Sequence, residues 1–154
     1  MEITKIPHEV LANKAKLVSV EEIKAGKYGQ LVLDMKKAMV ENMGVGLAAN
    51  QVGQDLSIFV IDAKTANAYK VPEAYFNPEI TEYSTETDDV EEGCLSIPGF
   101  YVGIPRSKKI MFKALDETGK KIKFKARGFL ARVLQHETDH LNGLTIKEKS
   151  NQNF

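Results

Sequence analysis

Apolar positions recur at helical spacing near both ends of the chain and at strand spacing between them. Leu31, Met35 and Met39 repeat every four residues, and Tyr28, Val32 and Met43 widen that stripe. The pattern predicts an amphipathic helix over about residues 20–43, capped by Ser19 with Glu22 three residues on and stopped at Gly44. Gly26 and Gly29 weaken its first half, so the regular part can begin as late as Gly29. Residues 1–18 read as an extended arm and loop, with His8 at the surface. Leu56–Asp62 reads as a buried strand, and Ala74–Glu79 as a second one, broken into an edge or bulge by Asn77-Pro78. Residues 81–92 are acidic and threonine-rich, which predicts a solvated face or loop for all but Glu92. Tyr101–Ile104 is a short strand candidate. Lys108–Leu115 alternates, Asp116-Glu117-Thr118-Gly119 turns, and Lys120–Ala126 returns. On that return Ile122, Phe124 and Ala126 share one face. Lys121, Lys123 and Lys125 share the other, read as the solvated side of a hairpin.

The last periodic segment is the widest. Phe129, Val133, His136 and His140 form one stripe, and Leu130, Leu134, Glu137 and Leu141 form a second beside it. Together they make a broader apolar face than a surface helix needs. Gly128 marks its start and Gly143 its stop. The polar tail beyond Glu148, residues 149–154, is expected to be flexible. The elements predict an α+β fold: antiparallel β-sheets packed around a buried C-terminal helix, plus an N-terminal helix, in a single domain over residues 1–154.

Composition narrows the class without naming a function. A chain of 154 residues, 43% apolar and 27% charged, suits one globular core. Basic and acidic residues number 21 each, which argues against a polyanion-binding protein while leaving room for a local basic patch. No nucleic-acid motif is present. The longest apolar stretches, such as Ser57–Ile61, are strand-length, so no membrane span is predicted. Met1–Pro7 has no apolar signal core, and a cytoplasmic location is the default. Cys94 is the only cysteine, so no intramolecular disulfide can form. It is a core thiol, a nucleophile or a metal ligand.

Chemistry concentrates in the last helix. His136-Glu137-Thr138-Asp139-His140 is a His-Glu-x-x-His motif. Residues four apart share a helix face, so His136 and His140 can hold one metal ion, and Glu137 sits beside it as general base for a metal-bound water. Two histidines sharing a face by chance is the bland alternative. It is weakened because two of the chain's three histidines flank a glutamate at this spacing. A catalytic site needs a third ligand. The longer pattern that ends in a third histidine fails, because Ile146 stands at that position. Glu148 lies too close in the tail. Cys94 remains, in Glu92-Gly93-Cys94-Leu95-Ser96, and completes a Cys-His-His set. The glycine-punctuated run Gly44–Gly53 lacks the spacing of a phosphate-binding loop. It reads as a tightly packed loop that delivers Gln51 to a site, with a buried turn and an exposed Gln as the alternative.

Three stretches in order, Gly44–Gln51, Glu92–Ser96 and Gln135–Leu141, together resemble the peptide deformylases. The resemblance spans about residues 6–146. It implies that Cys94, His136 and His140 bind one divalent metal ion, natively Fe²⁺, with Zn²⁺, Ni²⁺ or Co²⁺ as substitutes. It implies removal of the formyl group from N-formylmethionine on nascent polypeptides, with release of formate. Glu137 would move the proton, and Gln51 and the Leu95 N–H would stabilise the oxyanion. Val45, Phe129, Val133 and His136 would line the methionine pocket, and the substrate backbone would pair near Val45-Gly46. Glu92 would support the site, paired with Arg106. The ribosome near its exit tunnel is an implied partner, and a bacterial cytoplasm the implied setting, with a phage or organelle left open. Tyr101 stands where many relatives carry an arginine that holds the substrate backbone.

Overall fold

The computed structural model describes residues 1–150; the segment 151–154, and with it most of the tail expected to be flexible, lies outside the described residues. The N-terminal arm leads into α1 (Glu9–Ala12), which His8 caps by accepting the Val10 N–H at Nδ1. The predicted long helix is two: α2 (Val20–Lys24) and α3 (Gly29–Glu41). Ser19 Oγ caps α2 by accepting the Glu22 N–H at 3.1 Å. Gly26, at φ +78°, then takes the chain out of helix, a conformation open to glycine at little cost. The run after Gly44 forms a short strand, β1 (Gly46–Ala48), and one turn of 3-10 helix (Ala49–Val52). Then come β2 (Ile58–Ile61), α4 (Ala63–Tyr69), β3 (Ala74–Tyr83), β4 (Thr87–Cys94), β5 (Ile97–Ser107), β6 (Lys109–Leu115), β7 (Lys121–Arg127), α5 (Gly128–Leu141) and α6 (Ile146–Lys149).

Five strands make one antiparallel sheet in the order β1-β2-β3-β6-β7. Its two faces bury separate cores. Leu47, Ile58, Val60, Ala74 and Phe76 face α3. Ala48, Phe59, Ile61, Tyr75, Phe112 and Ala126 face α5. The split follows strand parity, since successive side chains point to opposite faces. The α+β architecture built around a buried C-terminal helix is as expected. The expected bulge at Asn77-Pro78 is also present: the register of β3 against β6 shifts between Phe76 and Glu79. Asn77, at φ +50°, accepts from Val18 N–H and donates to Val18 O, pinning the arm to the bulge.

Of the two readings of the acidic stretch 81–92, the solvated face holds and the loop does not, with Glu92 buried as the exception. The end of β3 and nearly all of β4 occupy it, and β4 pairs with β5 in a separate two-stranded ribbon. On β4, residues 87–91 are all exposed and can be charged. On β5, Val102 and Ile104 turn inward and pack against Ile146. Helix α6 lies almost wholly before the tail. Glu148 accepts the Thr145 N–H at 2.9 Å and caps the helix, so its carboxylate is committed there.

Candidate active site

Helix α5 carries most of the site. Phe129, His136, Glu137 and His140 fall on the helix, while the β4–β5 turn supplies Cys94 and Leu95 and the 3-10 turn supplies Gln51. One donor atom each from Cys94, His136 and His140 lies within 4.8 Å of the others. His140 Nε2 is 3.2 Å from His136 Nε2 and 3.3 Å from Cys94 Sγ. Donors bound to one tetrahedral ion, at roughly 2.0–2.3 Å from it, come to about this separation. The set therefore fits a divalent cation in geometry and in chemistry.

The surroundings orient each donor. His136 Nδ1 is bound to Glu92 Oε1 at 2.8 Å, which turns its Nε2 toward Cys94 and His140. Glu92 also receives Arg106 through Nε at 3.0 Å and Nη2 at 2.9 Å, and Arg132 through Nη1. Arg106 reaches Asp139 as well, and Arg132 reaches the Ile104 carbonyl at 2.8 Å and Asp88 at 2.8 Å. Burial alone would raise the Glu92 carboxyl, but the bonds from His136 and Arg106 hold it down to about 2. Burial lowers His140 well below the ordinary histidine range, leaving a neutral ring with a free lone pair. Burial would lower His136 too; Cys94 and Glu92 on either side outweigh it and push the ring up to about 10.

Glu137 is 3% exposed, and among the described residues its Oε1 has no hydrogen-bond partner. Burial pushes its carboxyl up to about 7. Gln51 is also buried. Its Oε1 accepts the Ala48 N–H at 3.0 Å, which aims Nε2 at Ser96 Oγ, 3.2 Å away, and Cys94 Sγ, 3.7 Å away. Gln51 is thus delivered to the site, and the alternative of an exposed Gln fails. Asn50 Nδ2 donates to the His140 carbonyl and locks the same turn to the end of α5.

A cavity of about 630 Å³ opens over this cluster, lined among others by Val45, Gly46, Leu95, Phe129, Val133 and Tyr101. All five residues expected to contact substrate line it: Val45 and Phe129 at the exposed rim, Val133 buried at the wall, Gly46 beside Glu137, and His136. His140 is fully buried behind it. Arg132, Asp139 and Ser96 belong to the site without having been singled out in the sequence. Arg132 precedes His136 by one helical turn on the buried face, and that spacing was the available signal.

A helix-borne His-Glu-x-x-His joined by a thiol from a neighbouring strand, under a partly apolar cavity, defines a metal-dependent hydrolase. The sequence matches the family model for polypeptide deformylase over residues 1–153. A peptide deformylase of Dictyoglomus turgidum is 47% identical over 150 residues, covering 97% of this chain and 92% of its own. The crystal structure of the Thermotoga maritima peptide deformylase has a TM-score of 0.88 at 38% identity, covering 98% of this chain and 97% of its own. The enzyme from the Vibrio parahaemolyticus bacteriophage VP16T, solved in complex with actinonin, has a TM-score of 0.83 at 36% identity, covering 94% and 99%. The chain belongs to the peptide deformylase family, hydrolases that remove the formyl group from the N-terminal formylmethionine of nascent polypeptides.

Proposed function

We propose that Cys94, His136 and His140 hold the catalytic metal and that Glu137 is the proton carrier. The observation behind this is the convergence of three donor atoms beside a buried carboxylate that has a spare oxygen. A divalent cation held there by Cys94, His136 and His140 would supply Lewis acidity. Glu137 takes the proton from the attacking water and returns it to the leaving amine; a carboxyl raised to about 7 by burial can do both near neutral pH. The Gln51 amide and the Leu95 N–H meet the charge that develops on the formyl oxygen. A single donor of this kind is worth about 3–4 kcal/mol in comparable hydrolases. The methionine side chain fills the apolar wall at Val45, Phe129 and Val133, and the substrate backbone runs beside Val45-Gly46 as an added strand.

Fe²⁺ is the native metal in this reading, with Zn²⁺, Ni²⁺ or Co²⁺ able to replace it, since a thiolate and two imidazoles suit all four. The chain works as one catalytic domain in the cytoplasm, on chains emerging from the ribosome. The test is formate release from a formyl-Met peptide by protein loaded anaerobically with Fe²⁺. Release with metal and none after chelation is expected. Cys94→Ala should lose the metal itself, measured as metal per chain by elemental analysis. A full complement of tightly bound metal in that variant would overturn the ligand set.

A further inference from the structure

The outer face of the five-stranded sheet is covered by α3 over β2 and the start of β3, and is open to solvent over β6 and β7. The register there sets Lys109 opposite Arg127 and Lys113 opposite Lys123, with Lys125 opposite Met111 and Lys121 opposite Leu115. Residues opposite one another in an antiparallel pair share a face. Six cations therefore stand on one side of one hairpin, all exposed. Of these six, only Lys113 makes an ion pair among the described residues, with Glu79 at 3.4 Å.

Like charges directly opposite one another destabilise a hairpin. Scattered lysines would suffice to protect β7 as an edge strand from pairing with another chain. Edge protection does not require like-charged rungs that reach back onto β6, an inner strand. Because the whole chain is formally neutral, the face is a local concentration and not a share of bulk charge. Along each strand the same-face positions repeat at about 6.8 Å, and the strands lie about 4.8 Å apart. A regular polyanion complements such a grid. Phe124 points to the opposite, core face, so the grid offers unpaired bases no ring to stack on. The ladder ends at Arg127, two residues before Phe129 on the rim of the active cavity.

We infer that the β6–β7 face binds the phosphate backbone of double-helical RNA without reading its sequence. The inference rests on the substrate being a nascent chain, still tethered to the RNA-rich particle that makes it. It gives that partner a chemistry and a place of contact. Such binding is electrostatic and releases counterions.

The test uses the full-length protein and a labelled RNA duplex of about 20 base pairs, followed by fluorescence anisotropy. With five or six phosphates neutralised, affinity should fall about 10³-fold between roughly 50 and 200 mM salt. The triple variant Lys121→Glu/Lys123→Glu/Lys125→Glu should lose binding at the lower salt while deformylating a short formyl-Met peptide at the wild-type rate. Lys123→Glu alone should weaken RNA binding and raise the melting temperature, because it replaces the like-charged partner of Lys113. No duplex binding by the wild type, binding indifferent to salt, or equal binding by the triple variant would overturn the inference. So would capture by vesicles of anionic phosphatidylglycerol with none by RNA. RNA binding without formate release would count against the proposed catalytic roles and leave this surface standing.

Discussion

Glu92 and Glu137 are both buried carboxylates next to His136, and the two pockets treat them in opposite ways. Glu92 sits under the ribbon of β4 and β5, gripped by two guanidiniums and an imidazole, and is held down to about 2. Glu137 faces the cavity, has one oxygen without a partner among the described residues, and is pushed up to about 7. The difference is a division of labour between a carboxylate on β4 and one on α5. A carboxylate that must fix a ligand's orientation is saturated with donors and never changes charge. A carboxylate that must pass a proton is left under-bonded, and the protein bears the cost of burying it.

The largest effects should come from exchanging these roles. Glu137→Gln keeps the shape and removes the proposed proton carrier; turnover should fall about 10²–10⁴-fold with bound metal unchanged, read by formate release and elemental analysis. Undiminished turnover would show that Glu137 carries no proton. Glu92→Ala should act on the other axis. It leaves Arg106 and Arg132 buried without their shared anion, a loss of about 3–5 kcal/mol in urea denaturation. A change near zero would mean that Asp139 and Asp88 suffice to hold the two arginines.

The pH dependence of the metal-free protein sharpens the contrast. A folded carboxyl held below its ordinary value of 4.5 contributes stability that is present above that pH and lost as pH falls toward about 2; that is Glu92. A folded carboxyl raised above it contributes stability present at lower pH and lost as pH rises from 4.5 through about 7; that is Glu137. Urea midpoints measured from about pH 2 to pH 7 should therefore fall on both sides of the middle. Glu137→Gln should flatten the upper limb alone, and Glu92→Gln the lower limb alone.

The two pockets were unequally legible in the sequence. The Glu137 side could be read directly, because the i, i+4 histidines and the single cysteine are chemical signals with few other uses. The Glu92 side depends on partners brought from far along the chain. Arg132 looks like any surface arginine until β4 and β5 close over it. Part of the ribbon was read, since the strand expected at Tyr101–Ile104 lies within β5, but β4 escaped because its residues 87–91 are all exposed and show no alternation, whereas β6 and β7 have one buried face and announce themselves. Helix α4 went unread because it is short, and Asp62 at its N-terminus makes no side-chain cap.

The smallest expected effect separates the pockets by how freely their neighbours move. A methyl group built on Gly46 would lie 2.6 Å from Glu137 Oε2 and 2.9 Å from its Cδ and Cγ. The whole buried side chain would have to shift, because all three atoms are struck at once. A methyl group on Gly93 would collide with the ring of Tyr101, but that residue is 66% exposed and can swing into solvent. Gly46→Ala should therefore lower kcat about tenfold, an overpacking strain of about 1–2 kcal/mol spent on misplacing the carboxylate. Gly93→Ala should leave kcat within about twofold and alter KM instead, since Tyr101 lines the cavity beside the substrate path. If Gly93→Ala lowered kcat as much as Gly46→Ala, Tyr101 would be part of the rigid frame around Cys94, and the ribbon side of the site would be as intolerant of movement as the helix side.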